Sequence, residues 1–337
     1  MEDIILHQAI LHILDSTHEV PIMSGKALEL ERDISDFLER HISKILNDGD
    51  LKKAVFIPGS NEVLESCTQL NLNKLSFVDI SITLANKLFG IMKENPDIPS
   101  ADVVFVIFEF EGIKYFSLIK FNYRCSYIHY VANTNEGNNN KLIKQRTALP
   151  NETQKVDECV IINLNNFELR LIEKKHEICA EKEFYLSKYF LKCQSDLSYL
   201  QKVKVLDKTA SKISKKHFDE DFTQVAKLRS CIAKSIEEAD DIEVEAIAEQ
   251  VFGENTEIKR QYLEEVKKGG LSENRVIIPE TINTTKKYRT QKLKTESGIE
   301  INFPSHFYND ENVMEFINNP DGSISILIKN VNKVVNK

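Results

Sequence analysis

The 337-residue chain has no tryptophan, no C-x-x-C pair and no apolar run near the roughly 20 residues that a membrane-spanning helix requires. Without paired cysteines, a zinc ribbon or a thioredoxin-type redox site is excluded. The six cysteines (Cys67, Cys125, Cys159, Cys179, Cys193, Cys231) are scattered, mostly among apolar neighbours as in RCSYIHYV and ECVIINL. They are expected to be reduced, buried thiols. The start MEDIILHQAI lacks the basic region and small-residue cleavage site of a signal peptide, so a cytosolic protein with no membrane contact is expected. Also missing are the phosphate-cradling G-x-x-x-x-G-K-[ST] and G-x-G-x-x-G loops, the G-x-S-x-G nucleophile turn and the H-E-x-x-H zinc helix.

What remains is a balance of 42% hydrophobic and 28% charged residues, which suits a folded globular chain rather than a disordered one. The length predicts two domains. An α+β class follows from strands mixed with long helices without regular alternation. Residues 1–180 are expected to form a mixed helix and antiparallel-sheet domain. Residues 181–337 are expected to form a mainly helical domain with a small C-terminal β element at 286–330. IILHQAILHIL reads as an opening strand or strand pair. GKALELERDISDFLERHISKIL reads as a helix with Ser24 as its cap, and FVDISITLANKLFGIMKEN as a second helix ended by Asn95-Pro96. In ADVVFVIFEFEGIKYFSLIKF (101–121), two apolar runs flank Glu111-Gly112 and predict a central hairpin. CSYIHYV, CVIINL and FELRLIE add strands, with NTNEGNNNK (133–141) as a polar loop. EFYLSKYFLKCQ, DLSYLQKVKVLDKTASKISKKHF, FTQVAKLRSCIAKSIEE and VEAIAEQVF show helical spacing.

Charge is distributed unevenly over a net of −8. At about 100° per residue, the 199–218 helix gathers Leu200, Val203, Leu206, Ala210, Ile213 and His217 on one side. Lys204, Lys208, Lys212 and Lys215 stripe the other, with Lys202 and Lys216 at the margins. Asp207 is the one carboxylate in this stretch. A solvated helix face usually interleaves both signs, so a phosphate-binding stripe competes with a merely soluble face. KKYRTQKLK (286–294) carries Lys286, Lys287, Arg289, Lys292 and Lys294. Phosphate contact and edge-strand lysines that prevent aggregation are both open there. Residues 235–254 hold eight acids and no base. That segment could face a protein partner, dock on the chain's own cations, or be a soluble helix capped by Asp241.

Catalytic candidates are few. HFDED (His217, Asp219, Asp221) has hard ligands for a divalent ion, as a nuclease needs, but lacks a second ligand set and lies at a helix junction where Asp caps are common. No metal and no cofactor are expected. His7 and His12 lie in an apolar strand and are expected to be structural.

In order and character, IILHQAILHIL, PIMSGKALEL, the 101–121 hairpin, EFYLSKYFLKCQSDLSYLQKVK, DDIEVEAIAEQVFG, TESGIEINFP and DGSISILIKN resemble the bacterial nucleoid-associated proteins of the NdpA family, nearly end to end. The resemblance implies location at the nucleoid and DNA binding without catalysis, and supplies no residue-level contact motif. The resulting expectation is non-specific phosphate contact through the two lysine-rich segments. The alternatives are an adaptor reaching DNA through a partner at 235–254, and the nuclease reading of HFDED. A homo-oligomer is possible.

Overall fold

Positive φ angles at two consecutive residues, 53° at Glu111 and 71° at Gly112, reverse the chain between two long strands, as expected for the tight hairpin turn. The computed structural model describes the chain except residues 1–3, 135–136, 218–221, 239–240, 254, 279–289, 306, 308–309, 311, 320–322 and 334–337. It also leaves out the side chains of 132–134, 137–138, 222–226, 236–238, 291 and 318. The class is α+β, in two units, Met1–Asp196 and Leu197–Lys337.

The first unit runs β1 (Ile5–Leu14), α1 (Arg32–Leu46), β2 (Lys52–Phe56), α2 (Glu62–Asn71), α3 (Phe77–Glu94), β3 (Ala101–Phe110) and β4 (Ile113–Asn122). It continues with β5 (Arg124–Thr134), β6 (Gly137–Ala148), β7 (Glu158–Asn163), β8 (Leu169–Ile172), β9 (His176–Ile178) and β10 (Glu181–Glu183). A π-helical turn (Leu186–Leu191) and β11 (Cys193–Ser195) complete it. A seven-stranded sheet has the order β1-β3-β4-β7-β8-β2-β11, and every neighbouring pair is antiparallel. Its strands are nearly continuously apolar because both faces are covered. Val103, Phe105, Phe116 and Leu118 pack with α2, α3 and the π-helical turn. Val104, Val106, Phe108 and Ile119 pack with α1 on the other side.

Several local expectations need correction. Ser24 caps no helix: its hydroxyl donates to Leu11 O at 2.6 Å and its N–H to His12 Nδ1 at 3.1 Å. α1 starts only at Arg32, with Glu31 at its N-cap and no side-chain cap bond. The Asn-rich stretch is no loop, since β5 and β6 pair through Val131↔Asn140 and Asn133↔Asn138 out to Thr134↔Gly137. The polar composition suggested a loop, whereas cross-strand pairing sets the structure. In EFYLSKYFLKCQ only Leu186–Leu191 is helical, and β11 then joins the sheet edge beside β2. Of the cysteines, Cys125 and Cys179 are exposed and the other four buried. Burial pushes the Cys67, Cys159 and Cys193 thiols up to about 12, leaving them unreactive.

Ion pairs cross the sheet's interior. The fully buried carboxylate of Glu158 accepts from Lys120 Nζ at 2.8 Å, Tyr185 Oη at 3.0 Å and His176 Nε2 at 3.1 Å. His176 Nδ1 faces Asp97 O at 3.1 Å. Acceptors beside both ring nitrogens favour the protonated imidazole. The Glu158 hydrogen bond accordingly raises the His176 pKa. Burial pushes the Glu158 carboxyl up, but the His176 and Lys120 donors outweigh it and hold it below the usual carboxylate range. A second buried pair joins Lys52 Nζ to Glu173 Oε1 at 2.7 Å.

Both histidines of β1 are placed structurally. His12 is buried, with Nε2 2.9 Å from Ser81 Oγ, and His7 lies 3.4 Å from Glu109. His41 on α1 is also buried, between the rings of Phe37 and Phe121, and among the described residues neither ring nitrogen makes a hydrogen bond of regular geometry, the Pro150 backbone offering only a weak one. Burial depresses its pKa. An unsatisfied buried polar ring costs stability that an apolar ring of similar shape does not. His41→Phe is therefore expected to raise unfolding stability by about 1 kcal/mol. A urea midpoint unchanged or lowered in the variant would contradict this.

Candidate nucleic-acid interface

The second unit opens with α4 (Tyr199–His217), α5 (Phe222–Glu238), β12 (Asp241–Glu243), α6 (Val244–Phe252) and α7 (Thr256–Lys268). β13 (Arg275–Ile277), β14 (Thr290–Lys294), β15 (Glu300–Pro304), β16 (Met314–Asn318) and β17 (Ile324–Ile328) follow. The capping box Ser198-x-x-Gln201 starts α4: Ser198 Oγ accepts from Gln201 N at 3.2 Å, and Gln201 Oε1 accepts from Ser198 N at 3.0 Å. Val203, Leu206, Ala210 and Ile213 then bury against α5, α6 and α7. This is the face that the periodicity predicts, except that His217 is exposed and bonds to Gln261 at 2.9 Å. Gly269 lets the end of α7 approach, because a Cβ there would lie 2.7 Å from Val205 Cγ1.

This approach sets which lysines of the stripe are paired. Lys212 pairs with Glu265 of α7, which also holds Lys268 at 2.8 Å. The two donors pull the Glu265 carboxyl down to about 2, Lys212 contributing most. At the margins, Lys202 pairs with Glu273 at 2.7 Å and Lys216 donates to Gln261 at 3.1 Å. Lys204, Lys208 and Lys215 are exposed on the remaining face. Among the described residues, neither Lys204 nor Lys208 has a carboxylate in ion-pair range. The helix's own acid does not neutralise them, because Asp207 takes a two-point bond from Arg229 of α5 at 2.7 and 3.1 Å.

Lys292 and Lys294 alternate with Leu293 on β14, which pairs with β15 through Lys292↔Asn302 and Lys294↔Glu300. Lys294 forms an ion pair with Glu300 at 3.2 Å, while Lys292 is exposed. Lys286, Lys287 and Arg289 lie outside the described residues, as do Asp219 and Asp221 of HFDED. Among the described residues, no group of His, Cys, Asp and Glu is arranged to hold a metal ion, and no helix is long and apolar enough to cross a membrane.

Of the readings open for the acidic 235–254 segment, the helix cap at Asp241 needs correction. Asp241 is no helix cap but starts β12, which pairs with β13. Asn274 instead serves α6, its carbonyl accepting from Val244 N at 2.8 Å and its Oδ1 from Glu245 N at 3.1 Å. Arg275 binds Asp241 at 3.3 Å and Glu243 at 2.6 Å, and Lys259 binds Glu249. The segment thus docks partly on the chain's own cations.

The fold and this surface define an α+β protein of two units that presents uncompensated lysines on a helix whose single acid is already engaged. The chain belongs to the nucleoid-associated protein YejK family, whose model matches residues 10–336, in keeping with the resemblance read from the sequence. No curated protein matches it.

Proposed function

We propose that the protein binds chromosomal DNA in the bacterial cytoplasm with little sequence preference and without catalysing a reaction. Lys204 and Lys208 of α4 make the first phosphate contacts. Lys202, Lys212, Lys215 and Lys216 join by exchanging their present partners, and the 286–294 segment adds its cations. The observation that carries this reading is the Asp207–Arg229 bond, which leaves the Lys204–Lys208 face without a compensating carboxylate in a chain of nucleoid-associated type. Contacts to phosphate position a protein but read no bases, hence the weak sequence preference.

Counterion release makes the reading quantitative. Any four of these lysines engaged at once contribute about −3.6 to the slope of log affinity on log salt, a loss of at least roughly 100-fold between 50 and 200 mM salt, and further contacts steepen it. Fluorescence anisotropy with a labelled duplex measures both. Changing Lys204, Lys208, Lys212 and Lys215 to Glu in a folded protein is expected to reverse the local charge and abolish binding at 200 mM salt. A flat salt response, or unchanged binding by that variant, would remove α4 as the interface. The acidic segment offers less to an adaptor reading, since Asp241, Glu243 and Glu249 are already held internally.

A further inference from the structure

β5 and β6 do not belong to the seven-stranded sheet. They leave it at the end of β4, return at β7 and, among the described residues, pair only with each other. Eleven residues at about 3.3 Å each make a ribbon some 36 Å long. From Tyr127 to Val131 and from Asn139 to Lys144 every residue is exposed. Leu142 is 78%, Tyr127 66% and Tyr130 52% accessible, and Ile128 and Ile143 are exposed as well. An isolated two-stranded hairpin is only marginally stable in water, and exposed apolar groups in this density mark a contact surface.

The register tells what the surface suits. Tyr127 lies opposite Lys144, and Tyr130 opposite Lys141. These pairs fall on opposite faces, because side chains alternate along a strand. Each face therefore sets an aromatic ring beside an ammonium group. Arg146 adds a third cation near the base, and none of Lys141, Lys144 and Arg146 is ion-paired among the described residues. The only acid between Arg124 and Ala148 is Glu136, outside the described residues. The base is anchored: Asp157 binds Arg124 at 3.2 Å and Lys174 at 2.6 Å, and Tyr123 Oη donates to Asp102 at 2.8 Å.

We infer that the β5–β6 ribbon is a second DNA-binding element, an arm that lies in a groove of duplex DNA. Lys141, Lys144 and Arg146 contact phosphates, and Tyr127 and Tyr130 cover sugar and base surfaces. The inference rests on the proposed reading that the protein binds DNA, and places a contact outside the helical unit. A two-stranded ribbon fits a major groove about 12 Å wide. Its positive charge also favours a polyanion over a second copy of the chain, whose ribbon would bring the same cations against these.

The test uses the full-length protein and a fluorescein-labelled 30-bp duplex of arbitrary sequence. In a Lys141→Gln, Lys144→Gln, Arg146→Gln variant, the salt slope is expected to shrink by about 2.7, with an affinity loss on the order of tenfold or more at 50 mM salt. The unmodified protein supplies an independent readout, since Cys125 on β5 and Cys179 are both exposed thiols. Saturating duplex is expected to slow maleimide labelling of Cys125 at least about fivefold relative to Cys179, as the groove covers the arm. Equal labelling of Cys125 with and without DNA, together with an unchanged salt slope in the variant, would overturn the arm. The α4 interface would stand in that case if its own charge-reversal variant lost binding. Failure of the unmodified protein to bind the duplex at 50 mM salt would remove both readings. Loss of a dimer in the ribbon variant with DNA binding intact would assign the ribbon to a second copy instead.

Discussion

Replacing Glu158 with leucine is expected to destabilise the protein by about 3–5 kcal/mol, because it strands a buried charge. The carboxylate is the common acceptor of Lys120, Tyr185 and His176, and the ammonium of Lys120 is fully buried. Without Glu158, Asn122 Oδ1 at 2.6 Å is the one remaining side-chain acceptor of Lys120 among the described residues, and it carries no charge. The double variant Lys120→Met, Glu158→Leu removes this pair and is expected to recover part of the loss, since apolar groups substitute for a buried pair at little cost while Tyr185 and His176 still lose their acceptor. Chemical unfolding of the two single variants and the double variant decides it. Simply additive losses would mean that the two charges do not depend on each other.

Acid should weaken the fold through His12. Burial lowers its pKa from the ordinary 6.5 to about 4. The geometry agrees, because Nδ1 accepts the Ser24 N–H and cannot carry a proton while that bond is intact. A depressed pKa contributes stability that is full above the unfolded value near 6.5 and declines as pH falls toward 4. The loss over that window is about 3 kcal/mol. His176 has the opposite sign: its raised pKa adds stability that is full below 6.5 and fades as pH rises through the folded value. Unfolding free energies measured from pH 4 to 9 are expected to show an acid limb that flattens in His12→Asn and an alkaline limb that flattens in His176→Gln. An acid limb unaltered by His12→Asn would refute the first assignment.

The elements legible in the sequence are those whose burial pattern is one-dimensional. The 101–121 hairpin shows two apolar runs and a turn that tolerates positive φ. α4 shows its apolar side at helical spacing, and its lysines fall where the pattern puts them. α2 escaped because a short helix with mixed faces gives weak periodicity, although Asn61 caps it by accepting backbone N–H groups, whereas α7 does carry helical spacing in Ile258, Tyr262 and Val266 behind its Asn255 cap. In the β5–β6 ribbon, CSYIHYV was legible as a strand through its alternation, whereas β6 escaped because the far end is written in Asn and Gly. The basic KLIKQR was the available signal for β6. The lysine stripe was visible as composition but its ion pairing was not. Lys202 meets Glu273 and Lys212 meets Glu265 across 71 and 53 residues of chain. Such pairings depend on how α7 and its flanking turn fold back, which helical spacing does not encode.

The place at which the ribbon enters has a consequence for how the molecule can change. β4 and β7 are already hydrogen-bonded neighbours, with Lys120 opposite Glu158, and the whole of β5 and β6 is inserted between their facing ends. The arm can lengthen, shorten or alter its side chains without disturbing the register of the barrier of strands beneath it. Evolution is free to retune what the projection grips while the supporting architecture stays constant.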